Sequence, residues 1–341
     1  MASRSEPCTY LLPIRRLNFF PGEARELAIY FRELADAGCD VLVVDGSAEP
    51  LFRQHNEVWR GACRHEKVDR SFGYLNDKVN GIHTGLQLTS LGKIILADDD
   101  IRYTPREIYL VCRALDRFEV VRPQNYLSPL PWWARSEAAR MLINRATLRT
   151  ADYPGTCAFR RETMLRVGHY DGDVLFDNEE MIRHFAAGGA SIRYATDLFV
   201  RKRPPTLRKW IEQRPRQAYE DFGLREKTAL FLSLPVGAFL SAVGGWKSLL
   251  VYVSALAIAA VFVALIGRSR GAASKYFPLS VCFCAPAWIL ERSLSTYWAL
   301  YWFFTRGGYP FGDKILSKGI GRDWISGGRI AAQAAGRPPN Q

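Results

Sequence analysis

The sequence is short of everything that staples a small secreted or metal-bound domain. Cys8, Cys39, Cys63, Cys112, Cys157, Cys282 and Cys284 form no CxxC pair and have no companion histidine spacing. Structural zinc is therefore not expected, and an odd cysteine count argues against a disulfide framework, so these read as reduced thiols. The five histidines show no metal spacing either. No internal repeat or low-complexity tract is present. The opening MASRSEPCTYLLPIRR lacks a long apolar core, so no cleaved secretory signal is expected and membrane targeting falls to the C-terminal half. No nucleic-acid-binding motif accompanies the basic residues, and nucleic acid is not an expected partner.

What is there is a chain of 341 residues, 48% of them apolar, enough for one large domain and a smaller unit. The net charge of +12 calls for an anionic partner. Its placement favours lipid or a phosphorylated substrate. The densest basic run, Arg201 to Arg216, precedes an apolar region from Thr228 to Thr305, and Lys314, Lys318, Arg322 and Arg329 follow it. Basic residues flanking apolar segments suit an anionic cytosolic leaflet.

Short apolar runs alternate with amphipathic stretches in the first hundred residues. CTYLLPI (8–14), DVLVVDGS, a weak segment at 64–68 and KIILA (93–97) read as strands; 21–37 and 75–91 read as helices. A β-α-β-α-β order predicts a doubly wound, mostly parallel α/β sheet, whose ligand sits outside the carboxyl ends of its strands. Further on, GTCAF reads as a strand and 179–187 as a helix. Thr228–Trp246 and Leu249–Ile266 are uncharged over nineteen and eighteen residues. The second is a transmembrane candidate by length. With Arg268, Arg270 and Lys275 in the loop after it, a cytosolic N-terminal domain obeys the positive-inside rule. Tyr276–Thr305, rich in Trp and Tyr and cut by Glu291-Arg292, reads as interfacial or re-entrant. These features divide the chain into a catalytic unit, 1–222, and a membrane anchor with a basic tail, 223–341.

The strongest chemical signal is IILADDDIRYTP. In an extended segment Asp98 and Asp100 would point the same way, and two facing carboxylates require a cation or proton between them. Oxygen ligands at a strand end suit Mg2+ or Mn2+ shared with a substrate phosphate, although aspartate triplets also occur in solvated turns.

In this order the landmarks resemble family-two glycosyltransferases, which have the GT-A fold. They are Pro13 ending the first strand, VLVVDGS, DKVNGIHTGLQ, DDD, PGTCAFRRETMLRVGHYD, FDNEEMIRHFAAGG and QRPRQ, over roughly Cys8 to Gln217. The resemblance implies a metal at Asp98 and Asp100. It also implies donor contacts from Pro13, Asp45 (to the nucleotide base), Ser47, Lys78, Asp99, Gln213 and Arg216. A catalytic base is implied at Asp177, with Glu179 and Glu180 as substitutes. Three departures stand out: Arg15-Arg16 replace the family's asparagine and aromatic, the acidic pair is DN rather than ED, and Gln217 replaces the tryptophan of QxxRW. The implied activity is transfer, by inversion, from a nucleotide-sugar, most simply a UDP-sugar, to a lipid or glycan acceptor. It would occur on the cytosolic face of the cell membrane, in a multi-pass protein. Trp132 and Trp133 fit sugar stacking and interface insertion equally. A nucleotidyltransferase is the nearest rival, weakened because no glycine precedes Gly22; a non-catalytic membrane scaffold is the other.

Overall fold

A computed structural model describes residues 7–319 apart from 149, 153, 224, 312 and 313. Arg322, Arg329 and the first six residues thus lie outside the described residues. In chain order the N-terminal half comprises β1 (Cys8–Ile14), α1 (Pro21–Asp36), β2 (Cys39–Asp45), α2 (Glu49–Trp59), β3 (Arg64–Lys67) and α3 (Asp77–Leu88). There follow β4 (Lys93–Ala97), β5 (Ile101–Arg102), α4 (Pro105–Leu115), β6 (Val120–Leu127), α5 (Ala134–Thr147) and β7 (Thr156–Arg160). Next are α6 (Arg161–Val167), α7 (Asp177–Ala187), β8 (Ile192–Lys202) and α8 (Leu207–Glu220).

One sheet runs in the order β3-β2-β1-β4-β7-β6-β8-β5. The pairs β1–β2, β1–β4, β2–β3 and β6–β8 are parallel, whereas β7 is antiparallel to both its neighbours and β5 is antiparallel to β8. This is the expected fold class, a mostly parallel α/β sheet followed by apolar helices. Strand alternation feeds two cores. Ile95 and Ala97 of β4 pack with α1 and α4, while Ile94 and Leu96 pack with α3, α6 and α7. Pro21 opens α1, and Gly38, at φ +90°, takes the left-handed turn that ends it.

α3 reaches β1 closely because Gly81 and Gly85 carry no side chain. A Cβ on Gly81 would stand 2.8 Å from that of Pro13, and one on Gly85 would overlap Leu11. Close approach brings Lys78, one turn earlier, to the carboxyl end of the sheet.

The apolar region forms α9 (Arg225–Val243), α10 (Trp246–Ser269) and α11 (Ala285–Arg306), then a hairpin of β9 (Tyr309–Phe311) and β10 (Lys314–Leu316). α9 and α10 turn at Gly245, φ +104°, and are long and apolar enough to cross a membrane. They are not detached from the N-terminal half. Ala260, Ala264 and Gly267 of α10 share a core with Ala138, Met141 and Leu142 of α5. Arg145 and Arg270 donate to each other's backbone carbonyls at 2.9 Å. Glu291 and Arg292, which interrupt the third apolar stretch, face inward. Arg292 is 1% exposed and donates to Asp221 at 2.9 Å, and Ser295 donates to Glu291 at 2.5 Å.

Candidate active site

The carboxyl ends of β1 and β4 open into a cleft of about 410 Å3, walled by α3, α5, α7 and α8. Pro13, Lys78, Asp98, Asp99, Asp100, Asp177, Glu179, Gln213 and Arg216 all line it, so nine residues singled out from the sequence converge there. Asp45, Ser47 and Glu180 do not line it.

After β4 the backbone does not stay extended. Asp98 to Ile101 form a turn closed by Ile101 N–H donating to the Asp98 carbonyl at 3.1 Å. The carboxylates therefore converge through a turn rather than through strand alternation. Asp98 Oδ1 lies 2.6 Å from Lys78 Nζ, and Asp100 Oδ2 lies 3.5 Å from Lys202 Nζ. The same Lys78 ammonium is 2.8 Å from Asp177 Oδ2 and donates to Asn178 at 2.9 Å. One lysine thus joins the aspartate turn to the start of α7.

Burial opposes charge at Asp98, but Lys78 and Lys202 outweigh it and hold its carboxyl below the ordinary range. Asp100 goes the other way. Burial pushes it up to about 6, helped by Asp98 and Asp99 and opposed by Lys202. Asp100 Oδ1 is also buried without a hydrogen-bond partner. Gly155 leaves room beside the pair, since a Cβ there would stand 2.5 Å from Asp98 Oδ2. An orphaned carboxylate oxygen, a glycine-lined gap and hard oxygen donors fit a divalent cation held by Asp98 and Asp100.

The three acidic residues at α7 have different partners. Asp177 is 5% exposed and faces the cleft against Lys78. Glu179 is ion-paired with buried Arg122, and Glu180 pairs with Arg183 at 2.9 Å, away from the cleft. Asp99 pairs with Arg16, and Arg15 with Asp77 at 2.5 Å. The two arginines that depart from the family pattern thus tie the loop after β1 to the cleft mouth.

Asp45 lies at the end of β2 but is enclosed. Its Oδ2 is 2.7 Å from His55 Nδ1 and 3.2 Å from His65 Nε2, while Oδ1 accepts from Ser47 N–H at 2.8 Å. These partners hold its carboxyl well below the usual range against burial. Asp45, His55 and His65 are close enough together to hold a metal. The short contacts are those of hydrogen bonds. Ser47 Oγ accepts from Arg16 N–H at 2.8 Å, so it shapes the loop after β1 from behind.

Sequence reasoning missed the floor of the cleft. Lys202, Gly155, Asn125, Glu137, Arg140 and Arg214 all line it. Arg140 and Arg214 hold Glu137 at 2.9 and 3.0 Å, and against burial they keep its carboxyl well below the usual range. Lys202 belongs to the conspicuous 201–216 basic run, and Gly155 to the PGT segment, so both carried a signal. Glu137 and Arg140 carried none.

No protein-family model matches the chain, and no curated protein matches it. Among solved structures it is similar to the mannosyltransferase PcManGT from Pyrobaculum calidifontis in complex with GDP-Man and Mn2+. The identity is 18% over 85% of this chain and 87% of that one, with a TM-score of 0.47. It is also similar to glucosyl-3-phosphoglycerate synthase from Mycobacterium tuberculosis in complex with Mg2+ and UDP, at 16% identity, 59% and 70% coverage and a TM-score of 0.38. A complex of that synthase with Mn2+, UDP and glucosyl-3-phosphoglycerate aligns at 15% identity, 64% and 78% coverage and a TM-score of 0.41. Each of these complexes contains GDP-Man or UDP together with a divalent metal.

Proposed function

We propose that the chain is a metal-dependent glycosyltransferase that moves a sugar, with inversion, from a nucleotide-sugar to a lipid or glycan acceptor at a membrane face. The observation that carries this reading is the aspartate turn at the end of β4, facing Lys78, Lys202 and Asp177 across one cleft. Asp98 and Asp100 would hold Mg2+ or Mn2+, which would supply charge stabilisation for a leaving diphosphate.

The chain's own residues do the rest. Lys78, Lys202 and Arg216 present cations where the diphosphate oxygens gather charge. The acceptor hydroxyl oxygen forms a bond to the anomeric carbon as the bond from that carbon to the diphosphate oxygen breaks. Asp177 takes the hydroxyl proton, and the nucleoside diphosphate leaves with the bonding pair. Glu179 also lines the cleft and is paired with Arg122 as Asp177 is with Lys78, so it is the alternative base, whereas Glu180 faces away. Pro13, Asp99 and Gln213 shape the donor end. Asp45 and Ser47 act through the loop after β1.

The membrane part of the reading is supported by inverted polarity. α11 turns Leu290, Leu294, Tyr297, Trp298, Tyr301 and Phe304 outward while it buries Arg292, Ser293, Ser295 and Thr296. Water favours the opposite arrangement, and lipid favours this one. Tyr297 also donates to Leu232 of α9 at 2.7 Å, which joins this face to the α9–α10 hairpin. Arg268 and Arg270 sit at the body end of that hairpin, consistent with a cytosolic catalytic half.

The test is a hydrolysis screen of the purified full chain over UDP-, GDP- and dTDP-sugars, with Mn2+, Mg2+ or chelator, followed by lipid and glycan acceptors. Metal-dependent release of one nucleoside diphosphate is expected. No binding or turnover of any nucleotide-sugar would leave the scaffold as the better reading.

A further inference from the structure

The chain does not end its work at the last apolar helix. After α11 it stops at Gly307, a left-handed C-cap with φ +72°, and doubles back onto the catalytic half. Tyr309 and Leu316 are buried with Leu175, Tyr219 and Phe222, so the returning segment has its own small core against α8 and the stretch before α7. Its polar contacts are directed at three walls of the cleft.

Lys314 Nζ donates to the Leu75 carbonyl at 3.2 Å and to Asp77 at 3.0 Å, at the start of α3, one residue from Lys78. Lys318 Nζ donates to Asp171 at 3.0 Å. The backbone between them and α7 is sewn down as well. Leu175 N–H donates to the Lys318 carbonyl and Phe176 N–H to the Gly319 carbonyl, both at 3.0 Å. Asp177 follows directly. On the third wall, Tyr219 of α8 donates to the Ser317 carbonyl at 2.8 Å, and Tyr309 donates to the Glu212 carbonyl at 3.3 Å.

We propose that residues 309–311 and 314–319 form a clasp that sets the distance between Lys78 and Asp177, with Lys314 and Lys318 as its positioning residues. The inference rests on the glycosyltransferase reading for its catalytic consequence, not for its structural one. Neither lysine lines the cleft, and both act through the segments that carry cleft residues. Segment 171–176 and the start of α3 already hold each other through Asn76 N–H to the Gly172 carbonyl at 3.0 Å and Leu75 N–H to Asp173 at 2.9 Å. The clasp therefore grips one preformed unit at both ends. A displacement of about 1 Å in a catalytic group can cost roughly a hundredfold in rate, so loosening this unit should be felt in turnover before it is felt in folding.

The test uses the full chain with Lys314→Met and Lys318→Met combined, beside Lys318→Arg alone. The double variant is expected to show faster amide exchange at residues 171–178, a melting temperature close to the parent's, and a kcat for donor turnover lower by about ten- to a hundredfold with KM little changed. Lys318→Arg, which keeps the charge, should retain both the parent's protection and its kcat. Unchanged exchange at 171–178 in the double variant would overturn the clasp, and this holds even if no nucleotide-sugar is ever turned over. A loss of kcat in the double variant that goes with a lowered melting temperature, or an equal loss in Lys318→Arg, would also overturn it, because that is the signature of damage to the fold alone.

Discussion

At the scale of single residues, Lys78 decides how the cleft is read. Its ammonium contacts Asp98 at 2.6 Å and Asp177 at 2.8 Å and so bridges the aspartate turn and the start of α7. Asp100 Oδ1 is buried without a hydrogen-bond partner, and the proposed divalent cation would be held there. Asp98→Asn or Asp100→Asn should therefore leave the fold intact and nearly abolish turnover. Circular dichroism checks the first outcome and donor hydrolysis the second; full activity in either variant, or in excess chelator, would remove the metal assignment. Asp177→Asn should keep donor binding while turnover falls about a hundred- to ten-thousand-fold, the usual range for a lost general base. Glu179→Gln and Glu180→Gln serve as controls, and near-normal turnover in all three would reduce the cluster to a helix start. Another single residue gives the protein a pH limit. His83 is 3% exposed and stacks on His169 at 4.1 Å. Burial, then the neighbouring His169 and His184, lower its pKa from 6.5 to about 4. The folded form thus resists a proton that the unfolded chain accepts. The contribution of His83 to stability should be constant above pH about 6.5 and fall as pH drops toward about 4, by on the order of 3 kcal/mol at most. Thermal unfolding of His83→Phe against the parent across that range checks it, and the variant should lose much of this slope.

At the scale of elements, the packing of α10 on α5 is the junction that joins the apolar helices to the sheet. A Cβ on Gly267 would overlap the Leu142 backbone, which cannot yield as a side chain could. Gly267→Ala should therefore lower the melting temperature, by an amount corresponding to about 1–3 kcal/mol, whereas Gly22→Ala, with nothing within 4 Å, should not. An unchanged melting temperature for Gly267→Ala would mean that α10 is not seated on α5. Sequence reading found neither this junction nor α5, for a physical reason. α5 buries Glu137, Arg140, Asn144 and Arg145, so its core face does not look apolar. The buried strand β6 conceals itself similarly with Arg122, Gln124 and Asn125. Elements whose cores are apolar were legible to within a residue: CTYLLPI and KIILA are β1 and β4, and 21–37 is α1. The cleft was legible where short motifs lie at strand ends and illegible where it is floored by paired charges from distant segments. Asp45 was located correctly in the chain, but His55 and His65, ten and twenty residues away, close it off from the cleft.

At the scale of the whole molecule, the question is how deep the α9–α10 hairpin reaches. From Gly245 to Ala260, where α10 first meets the core it shares with α5, fifteen residues rise about 22 Å at 1.5 Å each. The hydrocarbon layer is about 30 Å thick, so the free hairpin alone falls short of crossing it. Crossing requires the catalytic half to sink in by the remaining ~8 Å of that thickness. Its surface at that level permits this. Phe262 and Leu265 continue the apolar face of α10 beyond Ala260, and the α11 stripe lies on the same side of the body through its contact with α9. Trp246 and Lys247 at the tip are suited to the far interface. With Cys63 and Cys284 replaced by serine, a cysteine at Gly245 should react with an impermeant thiol reagent only from the face opposite the catalytic half, and one at Ser269 only from the catalytic face. Replacing Trp298 and Tyr301 of α11 with glutamate should then raise the body out of the layer and make position 245 unreactive from the far face, while position 269 stays reactive from its own. Labelling of both positions from the catalytic face in the parent would mean that the hairpin turns within one leaflet, and that α11 and the hairpin together form a one-sided anchor.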